Sequence, residues 1–234
     1  MQRTKIEYAE LAWNPIKGLC PVACSYCYAR RLYHRFNLVD KDPYLDEKEL
    51  GAPLKRRKPA RIFACTTIEP FELSVINYMK HVFDVMRCCS QHTFLLLTKI
   101  PGNFKDFLKE TPGNVWLGTT ITRQNEVDRA YRLREIPGPA VRWISFEPLL
   151  EPVWKIDLKG IDWVVMGRLT GGRGTGPAKP RWFEELIEIA DGYGVPVFMK
   201  NNLKALPDLR RKMRQTYPTP NFGTLARFVR SRCR

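Results

Sequence analysis

Val115-Trp116-Leu117-Gly118-Thr119-Thr120-Ile121 is followed by Asn125 to Arg134 and then by Val141-Arg142-Trp143-Ile144-Ser145-Phe146. The two outer stretches are short and apolar, and both lead into polar residues. The middle stretch carries mixed charge and reads as a helix. Pro137-Gly138-Pro139 ends it before the second apolar run begins. Two parallel strands need a long crossover between them, and a helix supplies it. Strands covered on both faces read as continuous apolar runs rather than as alternation, which is the pattern here.

The same unit recurs in both directions. Towards the amino end, Thr93 to Thr98 is a strand and Arg61 to Thr67 another. Between them Phe71 to Cys89 has helical spacing, with Val75 or Ile76, Met79, Val82 or Phe83, and Met86 on one face. A first strand falls near Glu10–Lys17, broken by Pro15 and Gly18, and Tyr28 to Leu38 is a helix. Asn103 to Lys109 is a short helix. Towards the carboxyl end, Ile161 to Met166 and Val195 to Met199 are strands, separated by a helix at Trp182 to Ala190 that Pro180 opens. The span from Phe146 to Ile161 is too short for a complete crossover helix. Six to seven mainly parallel strands result, as a partial (β/α) barrel or a doubly wound open sheet. Residues 39–60 form an irregular, charged insertion. Residues 1–202 read as one domain and 203–234 as a basic C-terminal extension, with Leu225 to Val229 a short apolar docking segment.

The composition sets limits. A chain of 234 residues with 44% hydrophobic content is long and apolar enough to bury a sizeable core. No apolar run reaches the roughly 20 residues of a membrane span, and Met1 to Glu10 is too polar for a signal peptide. Seven cysteines, three of them tightly clustered, do not look like a disulfide framework, so a cytoplasmic setting is expected. The net charge is +15, and from Lys200 to Arg234 ten Lys and Arg face one acid, Asp208. Such a block is the electrostatic footprint of a phosphate-rich partner, DNA or RNA, or else a solvated basic face.

The three clustered cysteines are Cys20, Cys24 and Cys27, spaced C-x3-C-x2-C with Tyr26 before the last. Three thiolates converging on one point suit a metal centre, whereas packing alone gives no reason to cluster them. A structural zinc site wants a fourth ligand, and neither His34 nor Cys65 completes a usual zinc spacing. A four-iron cluster held by three thiolates leaves one iron open.

Cys20, Cys24, Tyr26 and Cys27 match the C-x3-C-x-aromatic-C signature of the radical S-adenosylmethionine (SAM) superfamily position by position. The chain resembles that superfamily, and more narrowly it is similar to the phage-associated radical-SAM-like proteins. The narrower likeness rests on Trp13-Asn14-Pro15 with Gly18, on Leu97-Thr98-Lys99 and Trp116-Leu117-Gly118, on Ser145 to Leu150, on Ile161 to Val164, and on Gly194-Val195-Pro196 with Lys200. The resemblance favours the partial barrel. It implies a [4Fe-4S] cluster on Cys20, Cys24 and Cys27, S-adenosyl-L-methionine bound to the open iron, and an electron donor such as flavodoxin or ferredoxin. It further implies reductive cleavage of SAM and abstraction of a substrate hydrogen.

In parallel barrels, site residues gather at the carboxyl ends of strands. The resemblance gives some of them roles. Glu69 would meet the methionine amino group, although Thr66-Thr67-Ile68-Glu69 keeps only the last residue of the usual Gly-Gly-Glu. Thr119, Thr120 and Arg123 would contact ribose and carboxylate, and Tyr26 the adenine. Lys99 and Glu147 are the candidate catalytic residues facing substrate. Gly171 to Gly176 lacks the ending of a phosphate loop and reads as a loop after the sixth strand. Three functions follow as expectations: a radical SAM enzyme on nucleic acid, one on a small molecule or peptide, and a zinc-stabilised nucleic-acid-binding module.

Overall fold

The computed structural model describes residues 1–36, 41–170 and 178–219. The glycine loop at 171–176 and the segment 225–229 lie outside them. In chain order the elements are β1 (Gln2–Arg3), β2 (Leu11–Trp13), β3 (Ile16–Lys17), α1 (Tyr28–Arg35), β4 (Tyr44–Leu45), α2 (Glu47–Leu50), β5 (Arg61–Ala64), α3 (Met79–Cys88), β6 (Thr93–Thr98), α4 (Phe104–Phe107), β7 (Val115–Thr120), α5 (Asp128–Arg134), β8 (Val141–Phe146), β9 (Trp163–Met166), α6 (Pro180–Gly192) and β10 (Val197–Met199).

The fold is α/β, with an eight-stranded, mostly parallel sheet in the order β1-β2-β5-β6-β7-β8-β9-β10, flanked by helices. β2–β5, β5–β6, β8–β9 and β9–β10 pair in parallel, and β1 adds to β2 antiparallel. β1 is a two-residue strand of Gln and Arg, so no apolar pattern announces it. β3 and β4 form a separate antiparallel pair, Ile16 opposite Leu45. The first strand is therefore two strands, divided where Pro15 removes a donor. β5 stops at Ala64 because Cys65 sits at φ 56°, a left-handed turn that a β-strand cannot continue. α3 starts only at Met79, since Glu72 captures the Ser74 amide at 2.8 Å and a 3₁₀ turn occupies Ile76–Tyr78. Its buried face is the expected one: Met79, Val82, Phe83 and Met86.

The chain divides into two compact units. One holds Met1–Leu117 with Ile136–Ala140, and the other holds Gly118–Glu135 with the described chain from Val141 on. The Pro137-Gly138-Pro139 turn belongs to the first because Thr111 N and Oγ1 donate to the Pro137 carbonyl at 3.0 and 2.8 Å, and Ala140 N to Val115 O at 2.9 Å. Among the described residues no helix is long and apolar enough to cross a membrane.

Candidate functional site

In the first unit, polar groups gather after β5 and β6. Glu69 is buried, at 5% exposure, and its carboxylate is surrounded by donors. Thr98 Oγ1 donates to one oxygen, as does Phe71 N at 3.3 Å, and Lys99 N donates to the other at 2.8 Å. Burial pushes the Glu69 carboxyl up, against the Lys99 charge and these donors, which favour its ionised form. Glu69 therefore ties the loop after β5 to the end of β6. Asn14 joins β2 to the residues after β5 in the same manner, its Oδ1 accepting from Thr66 N at 2.7 Å and Thr66 Oγ1 at 3.0 Å. The Lys99 ammonium lies 6.0 Å from the centroid of the Tyr26 ring, a cation–π distance.

The cysteines of the loop make different contacts. Cys27 is the N-cap of α1, and its Sγ accepts from Arg30 N at 3.4 Å. Its own N–H closes a turn onto Cys24 O at 3.0 Å, while Ala23 adopts φ 51°. The Cys20 carbonyl accepts from the Arg30 guanidinium at 2.8 Å. Burial pushes the Cys20 thiol up, opposed by the backbone N–H groups of Glu69 and Val22. Cys65 is pushed up to about 12 by full burial and is an inert thiol.

Among the described residues, no group of three or more His, Cys, Asp or Glu side chains could hold a metal ion. This overturns the iron–sulfur cluster expected on Cys20, Cys24 and Cys27, since a spacing brings thiols near in sequence without aiming them at one point. S-adenosylmethionine as cofactor, the radical SAM activity, the superfamily resemblance and the zinc alternative fall with it.

In the second unit a different cluster forms at the carboxyl ends of β7 to β10. Ile121 N donates to Ser145 O at 3.0 Å, which sets Thr120 beside Ser145 on neighbouring strands. Both residues are buried, and neither hydroxyl has a hydrogen-bond partner among the described residues. Two residues beyond Ser145, the Glu147 carboxylate pairs with the Lys200 ammonium. Lys200 follows β10 and is anchored through its N–H to Met166 O at 2.9 Å. Gly167 makes room for this pair, since a Cβ there would stand 3.1 Å from the Glu147 side chain. Arg168 and Asn202 hold each other through three hydrogen bonds, of which Arg168 Nε to Asn202 O is 2.8 Å.

Beneath the polar groups lies an aromatic layer. The Trp143 and Trp163 rings are 5.5 Å apart, and Trp163 meets Phe198 at 5.9 Å and Tyr217 at 5.7 Å. Trp163 Nε1 donates to Thr216 O at 2.8 Å. Strand alternation accounts for both layers: Trp143 and Ser145 point to one side of β8, as Gly118 and Thr120 do on β7.

The other expected site residues fall in several environments. Thr119 is buried on the opposite face of β7 from Thr120. Arg123 is half-buried and pairs with Glu151 at 3.4 Å. Tyr26 and Lys99 meet in the first unit, and Glu147 stands in the second. Ser145 and Lys200 carry the second cluster, although the sequence marked them only by strand-end position and as members of the resembling stretches, with no role assigned. Asn14 gave no signal beyond its place in the resembling stretch Trp13-Asn14-Pro15.

A family model described as protein of unknown function (DUF5131) matches residues 3–216, and the chain belongs to that family. No curated protein and no solved structure matches it.

Proposed function

We propose that this member of the family is a binding protein for a small molecule rich in hydroxyl or amide groups, taken up at the carboxyl ends of β7 to β10. The observation that carries this reading is the pair of buried hydroxyls on Thr120 and Ser145 that have no partner among the described residues. A buried polar group without a partner costs about 1–3 kcal/mol, so a fold that keeps two side by side has reason to pair them with something else. Hydroxyls both donate and accept, Glu147 accepts, and Lys200 donates, a set suited to a ligand carrying both kinds of group. Strand carboxyl ends are the usual place for such sites in parallel α/β proteins. The reading includes a sheet curved as a partial (β/α) barrel, supported by its run of parallel strands, and a cytoplasmic setting, supported by five free thiols among the six described cysteines.

The test separates stability from binding. Ser145→Ala and Thr120→Val should each raise the stability of the ligand-free protein by about 1 kcal/mol, measured by urea unfolding, because each removes an unsatisfied hydroxyl. A thermal-shift screen of nucleosides, sugar phosphates and amino acids should find a ligand that stabilises the natural chain and not these variants. A loss of stability in both variants, with no ligand from the screen, contradicts the reading.

Contact with nucleic acid through the basic C-terminal region is a second part of the proposal. Of its described cations, Lys200, Lys212 and Arg214 pair with Glu147, Glu184 and Asp191. Lys204, Arg210 and Arg211 are exposed without an acidic partner among the described residues, which supports contact with phosphates. Lys204→Ala/Arg210→Ala/Arg211→Ala should make the affinity for an RNA or DNA oligomer less salt-dependent. An unchanged slope of affinity against salt removes these three residues from the interface.

A further inference from the structure

α1 buries only Ala29 and leaves an apolar stripe in solvent. Tyr28, Leu32 and Phe36 are 50%, 42% and 63% exposed, and they recur every fourth residue, so they lie along one side of the helix and its C-cap. Arg31 and Arg35 are exposed on the same helix, with the Arg35 guanidinium 5.7 Å from the Phe36 ring centroid. The surroundings are free of acid in sequence: from Leu11 to Val39 there are Lys17, Arg30, Arg31 and Arg35 and no Asp or Glu. Tyr28 is steadied at its tip, where its hydroxyl donates to Thr66 O at 3.0 Å, leaving the ring fixed and half in water.

We propose that this face of α1 binds single-stranded nucleic acid, with the Tyr28 and Phe36 rings stacking on unpaired bases and Arg31 and Arg35 meeting phosphates. Exposed aromatic rings interleaved with guanidinium groups are what a single strand requires, since every base offers a face to stack and every nucleotide a charge to neutralise. A duplex hides its base faces and gains nothing from Phe36. A membrane-surface helix of this charge needs a longer apolar face than three side chains on eight residues. A folded protein partner would use the apolar stripe but has no need of an acid-free stretch with four cations.

The experiment is fluorescence anisotropy with the full chain and labelled 15-mers of thymidylate, of uridylate and of a DNA duplex, repeated across a salt series. Phe36→Ala should weaken single-strand binding about tenfold, leaving the salt slope in place. Arg35→Ala should lower the slope of log affinity against log salt by about 0.7, one phosphate contact on a single strand. Comparison of thymidylate with uridylate shows whether DNA or RNA is preferred, and either supports the proposal. Thermal melts establish that both variants fold. Equal binding of duplex and single strand, or unchanged single-strand affinity in folded Phe36→Ala, overturns it. So does Phe36-dependent binding to phosphatidylserine vesicles without binding to any oligomer.

Discussion

Gly118→Ala is expected to lower the thermal midpoint by about 10 °C, on the scale of 2–4 °C per kcal/mol for a chain of this size. A Cβ at 118 would stand 2.4 Å from Trp143 Cε2, 2.5 Å from Cδ2 and 2.7 Å from Nε1. These are far inside van der Waals contact, so something must move. Trp143 has nowhere to go: it is fully buried and packed against Trp163 at 5.5 Å. Gly118 lies within β7, so the backbone cannot retreat without breaking the ladder. Overpacking of a tight core costs about 1–3 kcal/mol, and here both partners are rigid, which places the cost at the upper end. Circular-dichroism melts would read the loss. Adding Trp143→Leu should restore part of it by making room, and no recovery in the double variant would place the damage elsewhere.

Glu69→Ala should cost about 3 kcal/mol or more, a large part of the 5–15 kcal/mol typical of a folded domain. The substitution removes the acceptor shared by three donors, the Phe71 and Lys99 amides and the Thr98 hydroxyl. Each unpaired buried donor is worth about 1–3 kcal/mol. Relief from burying the carboxylate offsets only part of this. The same residue gives a pH signature. Its carboxyl is raised by burial, so the folded chain holds the proton more tightly than the unfolded chain does. The resulting stability is full below the ordinary carboxylate range and is lost as pH rises through the raised folded value. Urea unfolding at about pH 4 and about pH 8 should therefore show the natural chain losing stability relative to Glu69→Gln as pH rises. The opposite trend would mean that the donors outweigh the burial.

The long apolar strands were the most legible part of this chain. β6 and β8 have the bounds their composition predicts, because a run of six mostly buried residues leading into polar ones leaves little choice. Elements fixed by contacts with distant residues were not legible. β1 is two polar residues held by pairing with β2, and the end of β5 depends on a left-handed Cys65. The cysteine motif shows the limit most sharply. Its spacing is local, but where each sulfur points depends on the helix start that Cys27 caps and the turn at Ala23. The candidate site was half legible. Strand ends marked Thr120, Ser145, Glu147 and Lys200 as polar positions, but the Glu147–Lys200 pair joins residues 53 apart in sequence. Two empty hydroxyls side by side are likewise a property of strand register, which no single strand reveals.

If Thr120 and Ser145 keep their hydroxyls for a ligand, the urea-unfolding stability of ligand-free Ser145→Ala must show it. A gain of about 1 kcal/mol over the natural chain is expected, since the deleted group has no partner among the described residues. A loss of similar size would show that the hydroxyl is already satisfied within the fold, and the site would lose its basis.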